Sequence, residues 1–163
     1  WFLGDTVNMS IGQGFLQASP LQVAVMFAVP ANGGYLIKPH LLKDNEASRN
    51  WRESLNLKPE TIQVLRDGLR SVVDGGTGNA LNVATLPPVA GKSGTAEDFG
   101  RESHTWFGAY APADKPEIVV VAFGENSGGG GGSVAAPMVR QVLETYFNRK
   151  PAQAAEIEQV KTD

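Results

Sequence analysis

The stretch Gly91-Lys92-Ser93-Gly94-Thr95-Ala96-Glu97 is the densest polar cluster on a strand-like segment, residues 89–97. Glycine weakens a strand interior, and where it occurs a ligand or another backbone often comes close. Here two glycines flank a cation and hydroxyls follow, a combination suited to an anionic group laid along the strand. Lys92 supplies charge, Ser93 and Thr95 supply hydrogen bonds, and Gly94 supplies clearance. A plainer reading of the same residues is an edge strand with its polar side chains in water. A phosphate-binding loop, G-x-x-x-x-G-K-[ST], does not fit. Its first glycine would fall at Leu86, and Pro87-Pro88 lack the backbone N–H groups such a loop needs.

Outward from this segment, residues 105–110 and 117–124 read as two more strands, and the proline-bounded link 112–116 makes them a hairpin. The glycine run 128–132 reads either as a tight strand-to-helix turn or as a flexible linker, and its five residues match the turn better. A helix then starts near Ala135, with Val139, Val142, Leu143, Tyr146 and Phe147 on one face. On the other side, Pro59 opens a helix whose apolar face is Ile62, Leu65, Leu69, Val72 and Val73, and Gly75-Gly76 ends it. Residues 77–88 read as loop with a short helical turn around 80–83. Ser19-Pro20 is a helix start, and the apolar run 21–28 predicts deep burial before Pro30 and Asn32-Gly33-Gly34 stop the helix. Residues 1–18 read as loop, 35–42 as a short extended segment, and 43–55 as a surface loop or weak hairpin. Residues 1–150 form the folded part, and 151–163 read as a polar, flexible tail. The fold class is α+β: an antiparallel sheet with helices packed on its faces. Three strands are few, since sheets in domains of this size average about five.

With 163 residues, 42% of them hydrophobic, the chain has the size and composition of a packed domain. The net charge of −3 speaks against a nucleic-acid partner, which selects for a basic face. Without cysteine there is no disulfide framework, thiolate metal site or cysteine nucleophile. No apolar run approaches the ~20 residues of a membrane span. The chain opens on Trp1, and the expectation is that a segment precedes it. No G-x-S-x-G elbow occurs. His40 and His104 stand far apart without an H-E-x-x-H pattern, so a structural role is the expectation for His104 and no metal or cofactor is predicted.

Several segments together resemble the class B penicillin-binding proteins of the cell-elongation type. The segment from Gly91 to Glu97 is similar to the K-[TS]-G strand of the penicillin-recognising serine enzymes, with Ser93 in place of the commoner Thr. Gly4 through Gly14, with Gly12-Gln13-Gly14, resembles the loop ahead of a buried helix in that family. Ser19-Pro20-Leu21-Gln22, Ala31-Asn32-Gly33-Gly34, Lys38-Pro39-His40-Leu41, Trp106 through Pro112, and Glu125-Asn126 with the glycine run continue the match in order. The resemblance implies the transpeptidase fold shared with serine β-lactamases, here its C-terminal portion. It implies a D,D-transpeptidase in which the serine of an S-x-x-K motif attacks the D-Ala-D-Ala carbonyl of a peptidoglycan stem peptide and forms an acyl-enzyme. β-Lactams mimic that substrate. Under this resemblance Lys92 is the K-[TS]-G lysine, holding positive potential and bonding the serine of an S-x-N motif. Ser93 and Thr95 match the hydroxyls that hold the substrate carboxylate, Gly94 makes room, and the Thr95 backbone N–H is one oxyanion donor. Elongation-complex membrane proteins and an extracytoplasmic place at the inner membrane are also implied.

The sequence departs from the family at its centre. None of its serines has a lysine three positions on. Ser48-Arg49-Asn50 spells S-x-N, but it lies downstream of the loop that the family's own S-x-N precedes, and reads as coincidence. The expectation is that the upstream half of the same domain supplies both motifs, and that this chain alone is inactive. Two rival readings remain: a serine β-lactamase or D,D-carboxypeptidase, and a non-catalytic interaction module of the same fold.

Overall fold

The computed structural model describes residues 1–42 and 51–160. The elements in order are helix α1 (Leu3–Ser10), helix α2 (Pro20–Ala31), strand β1 (Tyr35–Ile37), strand β2 (Arg52–Ser54), helix α3 (Pro59–Asp74), a short 3-10 turn (Asn79–Leu81), strands β3 (Ala90–Ala96), β4 (His104–Ala111) and β5 (Ile118–Gly124), and helix α4 (Ala135–Val160). The strands form two antiparallel sheets, a β1–β2 hairpin and a β3–β4–β5 sheet with β4 in the middle. All three predicted strands are present, and β3 and β4 pair from Ala90↔Tyr110 to Ala96↔His104. The α+β class and the antiparallel sheet follow the sequence reading.

Alternation along the strands sends side chains to two apolar layers. Phe107, Ala109 and Ala111 of β4 face α4 and the 3-10 turn, where they bury Leu81, Ala135, Ala136, Val139 and Leu143. Ala90 and Tyr110 face α2, against Phe27 and Ala31. Burial pushes the Tyr110 hydroxyl above its ordinary pKa, an effect the nearby Arg66 charge opposes. Helix α3 joins both layers, with Val73 in the first and Leu69 against the second. Its arginines fasten neighbouring backbone. Arg66 donates to the Pro30 and Ala31 carbonyls at 2.7 and 2.9 Å, acceptors that the end of α2 leaves unpaired. Arg70 donates to the Val89 carbonyl at 2.6 Å, at the entry to β3.

Helix α2 begins as expected. Ser19 Oγ accepts from the Gln22 N–H at 3.3 Å, and Gln22 Oε1 accepts from the Ser19 N–H at 2.8 Å, a reciprocal capping box on a Pro20 start. Its burial differs from expectation. Only Phe27 to Ala31 are buried, while Leu21 and Met26 are 60% and 59% exposed. Pro30 lies inside the helix as its penultimate residue, where its missing N–H removes only one late bond, while Arg66 caps the final two carbonyls. The helix ends at Ala31 with Asn32 as its cap, followed by Gly33 and Gly34 at φ +85° and +101°.

Two other segments depart from the sequence reading. Residues 3–10, expected as loop, are helical. They have no buried face to reveal a period, and local bonds hold them: Asp5 accepts from the Phe2 N–H at 2.7 Å, and Trp1 Nε1 donates to Thr6 Oγ1 at 2.8 Å. Residues 52–54, within the segment read as a surface loop or weak hairpin, pair with β1, while residues 43–50, with Ser48-Arg49-Asn50, lie outside the described residues. Helix α4 continues past Pro151 to Val160 where a polar tail was expected, through the strong helix formers Ala152, Ala154, Ala155 and Glu156. Among the described residues no helix is long and apolar enough to cross a membrane.

Gly108, mid-strand in β4, is where the Phe27 ring of α2 lies against the sheet. A Cβ there would stand 2.2 Å from Phe27 Cε2. Gly108→Ala is expected to cost about 1–3 kcal/mol through overpacking. Urea unfolding of the wild type and variant measures it, and equal midpoints would show that the ring yields without penalty.

Candidate active site

β3 is an outer strand of its sheet: one edge pairs with β4 and the other is open. The residues singled out in sequence, Lys92, Ser93, Gly94 and Thr95, all lie on it. In an antiparallel ladder the N–H and C=O of one residue point to the same edge, and successive residues alternate. Gln13, from the turn between α1 and α2, identifies the open-edge set. Its Nε2 donates to the Thr95 carbonyl at 3.5 Å, and its Oε1 accepts from the Glu97 N–H at 3.2 Å. The Thr95 N–H therefore points to the open edge too, as do the N–H and C=O of Ser93.

The side chains divide between the two faces of β3. Ser93 and Thr95 share one face, where loops close over them. Ser93 Oγ and Thr77 Oγ1 are hydrogen-bonded at 2.7 Å, and Thr95 Oγ1 accepts from the Gly131 N–H at 3.4 Å. Each hydroxyl keeps unused hydrogen-bonding capacity. Lys92 starts on the other face and curls to the open edge, where its Nζ donates to the Ser93 carbonyl at 2.7 Å. Its stem also lines a cavity of about 390 Å³ with Met26, Phe27, Leu55, Leu65 and Leu69. A cation, two hydroxyls and a free backbone N–H thus converge on one strand edge. That set matches an anionic ligand with a polarised carbonyl. Neither hydroxyl is hydrogen-bonded to a base: Ser93 Oγ pairs with Thr77, Thr95 Oγ1 with the Gly131 N–H, and Lys92 Nζ with a backbone carbonyl.

Gly94 and the glycine run have packing reasons of their own. A Cβ at Gly94 would meet Trp106 Cβ at 3.3 Å, and the Trp106 ring stacks on Phe123 with centroids 4.2 Å apart. A Cβ at Gly131 would stand 2.2 Å from the Trp106 carbonyl, and one at Gly132 the same distance from the Thr77 carbonyl. Residues 128–132 are therefore a packed turn, the first of the two sequence readings. His104 is structural here: its Nδ1 accepts from the Asn126 N–H at 2.9 Å. Asn126, at φ +44°, also donates to Asp98 and to the Glu102 carbonyl, so the β3–β4 and β5–α4 loops are laced together.

Sequence reasoning missed three contributors: Gln13, Thr77 and Gly131. A signal existed for two of them. Gln13 sits between Gly12 and Gly14, and Gly131 inside a glycine run that a packed turn requires. Thr77 carried none beyond its glycine neighbours.

Comparison with known proteins gives a consistent picture. A family model described as the penicillin binding protein transpeptidase domain matches residues 1–144. The peptidoglycan D,D-transpeptidase MrdA of Haemophilus influenzae is 35% identical over 175 aligned positions, which cover 92% of this chain and 27% of that protein. Penicillin-binding protein 2 of Pseudomonas aeruginosa, solved in complex with WCK 5153, matches with a TM-score of 0.77 at 37% identity, covering 90% of this chain and 33% of that one. Penicillin-binding protein A of Mycobacterium tuberculosis, solved as an imipenem acyl-enzyme complex, matches with a TM-score of 0.71 at 27% identity, covering 86% of this chain and 33% of that one. The chain spans about a quarter of the length of the curated relative named here.

Proposed function

This chain belongs to the penicillin-binding protein transpeptidase family, and on that premise we propose that residues 1–150 are the C-terminal portion of a peptidoglycan D,D-transpeptidase domain of the elongation type. The observation that carries the proposal is the open edge of β3, where Lys92, Ser93 and Thr95 present charge, hydroxyls and a backbone N–H together. The relatives support it. One is named a D,D-transpeptidase, and another was trapped as an acyl-enzyme by a β-lactam.

In this reading the ligand is the D-Ala-D-Ala end of a stem peptide, lying along β3. Its terminal carboxylate takes hydrogen bonds from the Ser93 and Thr95 hydroxyls, and the Lys92 ammonium supplies positive potential beside it. Gly94 keeps the strand slim where the acyl chain passes. The scissile carbonyl oxygen faces the Thr95 N–H, a donor already fixed by the strand before charge develops. Such preorganised donors each contribute about 2.7–4 kcal/mol to the transition state. The nucleophile is a serine of an S-x-x-K segment outside this sequence. It adds to the carbonyl and expels D-Ala, and an acceptor amine from a second stem peptide then releases the acyl group and restores the serine. A β-lactam enters the same steps, and its acyl-enzyme persists. The full enzyme works at the cell envelope with membrane partners of the elongation machinery, and no cofactor takes part.

Two outcomes are expected. In the complete enzyme, Lys92→Ala slows β-lactam acylation about tenfold or more, because a charge-assisted interaction with the reacting ligand is lost. Stopped-flow acylation measures it, and an unchanged rate removes Lys92 from the site. The chain of 163 residues alone, incubated with a fluorescent penicillin, gains no label that survives denaturation. A surviving label would place the nucleophile within this sequence.

A further inference from the structure

Gln13 lies outside the roles assigned so far. Its carboxamide bridges the Thr95 carbonyl and the Glu97 N–H on the open edge of β3. One amide donating to residue i and accepting from residue i+2 is the pattern a neighbouring parallel strand would make. The side chain thus stands as a one-residue substitute for a strand, reaching across 82 positions of sequence.

The backbone around it serves this reach. Gly12 and Gly14 have φ of +78° and +72°, a region where other residues are strained. The Gly12 N–H donates to the Met9 carbonyl at 3.1 Å and the Gln13 N–H to the Asn8 carbonyl at 2.9 Å, so the turn is closed on α1. A Cβ at Gly14 would come within 3.3 Å of Asn8 Cβ. Two glycine conformations therefore aim one carboxamide at one strand edge. The half-buried Gln13 contributes nothing to either apolar layer, so packing does not explain it.

The two bonds hold the peptide planes that follow Thr95. The plane that carries the Thr95 N–H adjoins the first of them. We propose that Gln13 is a positioning residue that fixes the end of β3, so that the Thr95 N–H meets the developing oxyanion in line. This rests on the reading of Thr95 as an oxyanion donor. The contact to the Thr95 carbonyl is the longer of the two, and a carbonyl has two lone pairs, so a ligand N–H can share that oxygen while the shorter bond to Glu97 persists. Removing an oxyanion donor outright costs about 10²–10³ in rate, so loss of its alignment is expected to cost about tenfold.

The test is β-lactam acylation of the complete enzyme, resolved into a pre-covalent dissociation constant and a saturating acylation rate. Gln13→Leu keeps size and removes both bonds. Gln13→Glu keeps the acceptor for the Glu97 N–H. The expected result for Gln13→Leu is a saturating rate down about tenfold, with the dissociation constant within about twofold and the melting temperature unchanged. Gln13→Glu is expected to fall at least as far, because the Thr95 carbonyl then faces a carboxylate oxygen in place of a donor. Should Gln13→Leu prove unstable, Gln13→Glu carries the test alone, and a wild-type saturating rate in it overturns the proposal. A wild-type saturating rate in Gln13→Leu overturns it too, as does an effect confined to the dissociation constant. If the wild-type enzyme itself is not acylated by β-lactams, the underlying transpeptidase reading fails instead.

Discussion

The open edge of β3 is the constraint around which this structure is arranged. A strand at the margin of a sheet presents unpaired N–H and C=O groups, which proteins ordinarily cover or blunt. Here one end is covered by a single glutamine carboxamide, and the Ser93–Thr95 stretch is left to Lys92 and a ligand. The edge is polar, short and charged, and in the proposed function it would take an extended peptide by backbone bonds while Lys92 and the hydroxyls select for a carboxylate.

Such an edge is useful only if the strand behind it is immobile. β3 is held along its whole length by β4, and β4 is clamped between two apolar layers. Gly108 and Gly91 let Phe27 and Phe107 lie against opposite faces of the sheet, where a methyl group would collide. Arg70 ties the entry of β3 to α3, and the packed turn over residues 128–132 closes over the Thr95 face. Rigidity on three sides is what lets the fourth stay open.

Much of this was legible in sequence, for definable reasons. The three strands, α3 and the α4 face carry hydrophobic periodicity, which reports which residues meet a core. The β3 cluster stood out because glycine in a strand conflicts with strand propensity and needs another explanation. What escaped notice depended on contacts distant in sequence or on no core at all. Helix α1 has no buried residue and hence no period. The cap on the last carbonyls of α2 comes from Arg66, thirty-six positions from Pro30. Thr77 and Gln13 reach β3 only through the tertiary fold; the glycines flanking Gln13 mark a special turn but not its target, and nothing local announces Thr77. No S-x-x-K occurs in the sequence, so the nucleophile of the proposed reaction has no candidate in it.

The central claim is that the β3 edge binds the reacting ligand, with the nucleophile arriving from elsewhere in the full domain. A structure of the complete enzyme acylated by a penicillin tests it most directly. The account predicts the ligand carboxylate within hydrogen-bond reach of the Ser93 and Thr95 hydroxyls, and the acyl oxygen about 2.7–3.1 Å from the Thr95 backbone nitrogen. An adduct whose carboxylate and acyl oxygen both lie away from β3 would contradict it.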